Sequence, residues 1–131
     1  MIQKYATYFF ALLLLFTSTQ CTIDVKPTNR LALISQAEYL QMLEAVKNET
    51  FSSRQLDLAK ELLASKNKAL TIGQTRQIAS EIDFESKRLD YVKFAYDYSH
   101  DKSIYGQLED LFKFDSRRDE FRSFVRSRGG Q

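Results

Sequence analysis

The chain has 131 residues, of which 44% are hydrophobic and 27% charged; that suits one domain with a single modest core and excludes a largely disordered chain. One proline and four glycines disfavour a turn-rich β sandwich and favour helices. With 19 basic against 17 acidic side chains the net charge is only +2, which lacks the concentrated basic face that nucleic acid requires.

Met1 to Lys4 make a short, positively charged start, followed by the apolar run Ala6 to Phe16. A bilayer-spanning helix takes about 20 residues, so this shorter run fits the h-region of a removable signal peptide over residues 1–20. Cleavage after Thr19 puts Thr17 and Thr19 at the small-residue positions, and an uncleaved anchor is the competing reading. The expected location is extracytoplasmic: secreted, periplasmic or lipid-anchored at the cell envelope. Cys21 is the only cysteine, so no internal disulfide forms. Its place just after the apolar run makes it a candidate lipidation site and the only expected attachment to a membrane. Gln20 departs from the small residue usual before such a cysteine, and an unmodified thiol is the alternative. Residues 21–34, with Pro27 and Asn29, read as a tether.

The helical domain is expected over residues 35–127. Ser35-Gln36-Ala37-Glu38 has the spacing of a capping box, and Leu40, Leu43 and Val46 follow at helical intervals, so a first helix is predicted at 36–48. Next comes Phe51-Ser52-Ser53-Arg54-Gln55-Leu56, which aligns without gaps with Phe84-Glu85-Ser86-Lys87-Arg88-Leu89 and Phe114-Asp115-Ser116-Arg117-Arg118-Asp119. Offsets of about 30 residues are what stacked helix pairs produce. Each motif reads as a helix start, with a serine capping the first turn and the phenylalanine packing back onto it as a hydrophobic staple. Leu56 and Leu89 stand where the staple's partner is expected. Helices are therefore predicted at 53–65, 86–98 and 116–127. Serine nucleophiles or phosphosites are disfavoured, because no histidine or lysine is arranged beside these hydroxyls.

Between these starts, Thr71-Ile72-Gly73-Gln74 forms a second capping box leading to a helix at 72–82. Asp101 is expected to start a fifth helix at 102–112, with Ile104, Leu108, Leu111 and Phe112 on one face and Gly106 weakening it by about 1 kcal/mol. The total is six short helices in an all-α, stacked helical-hairpin arrangement, closed by a disordered tail at 128–131.

In the fourth helix, Leu89, Val92 and Tyr96 face one way, and Tyr91, Phe94 and Tyr98 almost the opposite way. The second helix keeps only the first stripe, with Glu61 in place of Phe94. The sixth keeps only the second, as Phe121, Phe124 and Val125. This pattern puts the fourth helix in the centre, with two terminal helices polar on their outer sides. Removal of the Phe94 ring is expected to cost about 3–5 kcal/mol.

The stretch Phe84 to Tyr96, with Phe51-Ser52-Ser53 before it and Phe114-Asp115-Ser116 after it, resembles the family called domain of unknown function 4476 over roughly Gln36 to Val125. Members of that family are often secreted or lipid-anchored bacterial proteins. The resemblance implies an extracytoplasmic helical domain, and it brings no activity and no catalytic residues.

Chemistry is sparse. His100 is the only histidine and lies between two helices beside Asp101. With one histidine, one cysteine and no glycine-rich loop (Gly73 and Gly106 are isolated), no metal site and no cofactor are expected. The cluster Tyr91, Phe94, Tyr98, His100 and Tyr105 is the candidate partner surface, since tyrosine carries both apolar area and a polar tip. The leading expectation is a non-enzymatic module that binds a protein or peptide. The alternatives are a small hydrolase-like enzyme with a cleft near His100, and a purely structural envelope protein.

Overall fold

The computed structural model describes residues 30–129. The expected signal peptide, Cys21 and most of the tether lie outside the described residues. The described part is built from α1 (Gln36–Asn48), α2 (Ser52–Lys66), α3 (Ile72–Glu81), α4 (Glu85–Ala95), a 3₁₀ turn Tyr96–Tyr98 continuing α4, a 3₁₀ segment Tyr105–Leu111, and α5 (Asp115–Ser127). No strand accompanies them among the described residues, and no helix there is long and apolar enough to cross a membrane.

Two of the helix starts follow their local signals. Ser35 and Thr71 accept from the backbone N–H of Glu38 and Gln74, and the Glu38 and Gln74 side chains accept in return from the backbone of the capping residues. Lys68 reaches back from the loop after α2 to both Glu38 oxygens at 2.8 Å. Lys68 first, then the Ser35 hydroxyl and backbone, hold the Glu38 carboxyl down from its ordinary 4.5 to about 2. A lowered folded-state value stabilises the fold above the unfolded value, and that stabilisation is lost as pH falls toward 2. The melting temperature is therefore expected to drop between pH 5 and pH 2 by more in the parent protein than in Glu38→Gln; equal slopes would sink the assignment.

The core joins all six elements. Tyr91, Tyr105, Phe112 and Phe121 are fully buried together with Met42, Val46, Leu63, Leu70, Ile78, Ile82, Leu89 and Leu108. Helix α4 lies at the centre, packed against α2, α3 and α5, as its two apolar faces require. Its outer neighbours are polar on their far sides: Glu61 on α2 and Asp119 and Arg122 on α5 are exposed. Phe121 packs on Phe112 (5.5 Å between ring centres) and Tyr105 (6.3 Å), and Tyr96 meets Tyr105 edge-on at 4.9 Å. The Tyr91 hydroxyl has no hydrogen-bond partner among the described residues, and burial pushes its phenol well above the usual range.

Three expectations are corrected here. The tether does not extend to residue 34: Ile34 is buried, its N–H donates to Ala69 O (2.9 Å), and Ala69 N–H donates to Ala32 O (2.8 Å). On the other side of this segment, Leu70 N–H donates to Tyr98 O and His100 N–H to Leu70 O, both at 2.9 Å, so three short extended stretches lie parallel. The tail does not begin at 128: the Arg128 guanidinium lies over the Tyr96 and Phe124 rings, and its carbonyl accepts from the Tyr96 hydroxyl at 3.3 Å. Gly129 follows with φ +78°, the left-handed conformation that closes a helix.

The fifth helix is a 3₁₀ segment starting at Tyr105, not an α-helix from 102. Asp101 spends its carboxylate on a local turn, accepting from the Ser103 N–H (3.0 Å) and hydroxyl (2.6 Å). Two carbonyls of the segment are taken by arginines from other helices: Gln107 O by Arg76 and Leu111 O by Arg88, both at 2.9 Å. A tertiary donor thus takes one interior carbonyl and another holds the end of the segment. Likewise α4 tightens to 3₁₀ after Ala95, near where the buried Tyr105 hydroxyl donates to Val92 O at 2.5 Å.

Candidate functional site

The three repeat motifs do start helices, but not in the expected way. Helices α2, α4 and α5 begin at Ser52, Glu85 and Asp115, so the phenylalanine occupies the capping position each time, and no side chain caps the first turn. Ser52, Ser53, Ser86 and Ser116 lie inside the helices. The staple does not form: Phe51, Phe84 and Phe114 are 66%, 68% and 67% exposed.

The fifth residue of each motif has the structural role instead. Gln55 is buried and donates to Val46 O and Glu49 O at the end of α1, while accepting from Asp83 N–H. Arg88 donates to Ala79 O and Ile82 O at the end of α3 and to Leu111 O. Arg118 donates to Phe112 O (2.7 Å) and Lys113 O (3.3 Å). Each clamp binds carbonyls at the end of the element that precedes its own helix, and two of them reach beyond it, Gln55 to Asp83 N–H and Arg88 to Leu111 O.

These contacts bring the three starts to one edge. Lys87 on α4 donates to Ser53 Oγ (2.6 Å) and Ser52 Oγ (3.0 Å) on α2, with its ammonium 5.7 Å from the centre of the Phe84 ring. Sequence spacing gave no hint of a lysine beside these serines; the packing of α4 on α2 supplies it. Glu85 accepts from the backbone N–H groups of Lys113 (2.6 Å) and Phe114 (3.2 Å) at the start of α5. Burial opposes ionisation of Glu85, but these two donors outweigh it and hold the carboxyl below its ordinary value. The starts of α2, α4 and α5, each preceded by one of the exposed phenylalanines, are therefore neighbours in that order.

Phe84 is also held at φ +53°, ψ 119°, a conformation that costs an L-residue with a side chain about 1–3 kcal/mol. With the ring about two-thirds exposed, side-chain burial does little to offset this strain. Phe84→Gly is accordingly expected to raise the unfolding free energy by about 1 kcal/mol, strain relief exceeding the entropy that glycine adds to the unfolded chain. Urea titration measures this, and a loss of stability would contradict it.

The surface expected from sequence is mostly not a surface. Tyr91 and Tyr105 are completely buried. Phe94 and Tyr98 are half-buried, 5.5 Å apart, and packed against the core with Lys60 over the Phe94 ring. Only His100 is exposed. It borders a recess of about 430 Å³ with Arg30, Asp97, Ser99, Asp101 and Lys102. The imidazole makes no hydrogen bond to Asp101, whose carboxylate is engaged by Ser103. No group of three or more metal-ligating side chains occurs among the described residues.

The described residues form an all-helical domain in which three helices share one starting motif, whose fifth residue ties them to the preceding element and whose first residue is exposed. The chain belongs to the family described as domain of unknown function (DUF4476), whose model matches residues 33–125. That match begins where Leu33 and Ile34 join the fold. No curated protein and no solved structure matches the chain.

Proposed function

We propose that the chain is an extracytoplasmic, non-enzymatic helical module that binds a protein or peptide partner through its phenylalanine edge. The observation that carries this reading is that three rings at equivalent motif positions, beside neighbouring helix starts, are about two-thirds exposed, one of them on a strained backbone. Apolar rings grouped on one edge and rimmed by polar side chains mark interaction surfaces. None of the three rings belongs to the buried core. The apolar leader at Ala6–Phe16 and the placement of Cys21 just after it support the location, and mass spectrometry of the mature N-terminus tests it.

The variant Phe51→Ser/Phe84→Ser/Phe114→Ser is expected to keep the parent's unfolding free energy to within about 0.5 kcal/mol for each site. The same variant is expected to lose the partner that cross-links to the parent protein in its own envelope. A fully stable triple variant that still captures this partner would remove the proposal.

A further inference from the structure

We infer that the recess beside His100 binds a small zwitterion, a free amino acid or a dipeptide. Such a site lies apart from the partner-binding reading above and does not depend on it. The three parallel stretches build the recess. Arg30 and Leu31 come from the first, Ala69 from the second, and Ser99 and His100 from the third, with Asp97 just before it and Asp101 and Lys102 just after. The backbone ties the stretches together, Ala69 N–H donating to Ala32 O at 2.8 Å and His100 N–H to Leu70 O at 2.9 Å. Ser99 Oγ donates to Asp101 O at 3.1 Å, and the Lys102 ammonium lies 5.1 Å from the centre of the Tyr96 ring. The walls are thus in place before any ligand arrives, which spares part of the ordering cost of binding. At about 430 Å³ the recess stands at the small end of ligand pockets. Leu31 and Ala69 give its only apolar lining, which suits a small side chain.

Charge selects the ligand. Asp97 and Asp101 line the recess together with Arg30 and Lys102. Both carboxylates are exposed and charged. Asp97 Oδ1 lies 3.4 Å from Arg128, and Asp101 Oδ1 accepts from the Ser103 N–H and hydroxyl, contacts that fix the side chains without removing their charge. The Ser103 hydroxyl, and then its N–H, hold the Asp101 carboxyl below its ordinary value. The other oxygen of each carboxylate accepts no hydrogen bond among the described residues. Arg30 and Lys102 pair with neither carboxylate, nor with any other acid among the described residues. Opposite charges therefore share one recess without closing on each other. A ligand that carries both signs meets a counter-charge for each of them. A plain anion also faces the two carboxylates, and a plain cation also faces Arg30 and Lys102, so each meets a repulsion that a zwitterion offsets.

Isothermal titration calorimetry of the purified protein with alanine, alanyl-alanine and two derivatives that each lack one charge tests this. Alanine or alanyl-alanine is expected to bind saturably, and more weakly as salt is raised. The N-acetyl derivative of the better ligand, without the ammonium, and its C-terminal amide, without the carboxylate, are expected to bind about tenfold more weakly or worse. Asp97→Asn and Lys102→Gln change exposed side chains, so the melting temperature is expected to stay near the parent's. Each is expected to lower the affinity for the better ligand about tenfold. Asp97→Asn is expected to leave the residual binding of the N-acetyl derivative unchanged, because the ammonium that Asp97 serves is already gone. The triple serine variant is expected to bind like the parent. Absence of saturable binding by both alanine and alanyl-alanine, equal affinity for a zwitterion and either derivative, or full affinity in both single variants would each overturn the inference. Binding of phosphate or calcium ions that these variants abolish, without binding of either zwitterion, would overturn it as well and assign the recess to a simple ion.

Discussion

Arg88→Met is expected to destabilise the domain by about 2–4 kcal/mol, the largest loss from any polar side chain. The guanidinium donates from Nε to Ala79 O at 3.0 Å and from its two terminal nitrogens to Leu111 O at 2.9 Å and Ile82 O at 3.1 Å. Two of these carbonyls close α3, and the third ends the 3₁₀ segment. Methionine keeps much of the apolar stem but removes the donor from Leu111 O and Ile82 O, while Ala79 O keeps only the Ile82 N–H. Hydrogen bonds from a charged donor contribute about 1.5–3 kcal/mol each when taken singly, and three sharing one side chain sum to less.

The equivalent positions set the comparison. Arg118 serves two carbonyls at the outer end of the stack, and Arg118→Met is expected to cost only about 1 kcal/mol. Urea unfolding of both variants reads the difference. Equal losses at the central and terminal positions would show that the clamp does not join neighbouring repeats.

Phe121→Ala is expected to cost about 3–5 kcal/mol, more than any other single truncation on α5. The ring is 1% exposed and lies between Phe112 and Tyr105, both fully buried, Tyr105 starting the 3₁₀ segment and Phe112 directly following it. Its loss opens a cavity that the 3₁₀ segment fills poorly, because that segment is tied by Arg76 and by the Tyr105 hydroxyl. Phe94→Ala, expected from sequence to be the costly change, is expected to cost only about 1–2 kcal/mol, since the half-buried ring leaves little cavity. Thermal unfolding of the two variants decides the order; a larger loss at Phe94 would contradict the core described above.

The edge and the core divide the motif's labour. The fifth residue holds neighbouring elements together, whereas the first keeps its ring about two-thirds exposed and outside the buried core. This is why changes at Phe51, Phe84 and Phe114 are expected to separate binding from stability. In most folds a phenylalanine is the poorest place to attempt that.

Much of the fold follows from local rules. Ser35 with Glu38 and Thr71 with Gln74 form their boxes because each signal is complete within four residues. The central position of α4 was legible because a helix apolar on two sides needs two neighbours, and its counterparts lack one side each. The family relationship, too, lies in the sequence, carried by core residues and helix starts.

What the sequence left undecided depends on partners far along the chain. The repeat serines have good capping chemistry, yet the chain enters each helix with phenylalanine at the cap, because Lys87 and Glu85 tie the starts side by side. Asp101 and the residues after it carry helical periodicity, but Asp101 is engaged in the Ser103 turn and Arg76 from α3 takes the interior carbonyl of Gln107. Exposure of the three rings is likewise a tertiary fact. Periodicity reports that a position is apolar, and only the packed neighbours determine whether its side chain is covered.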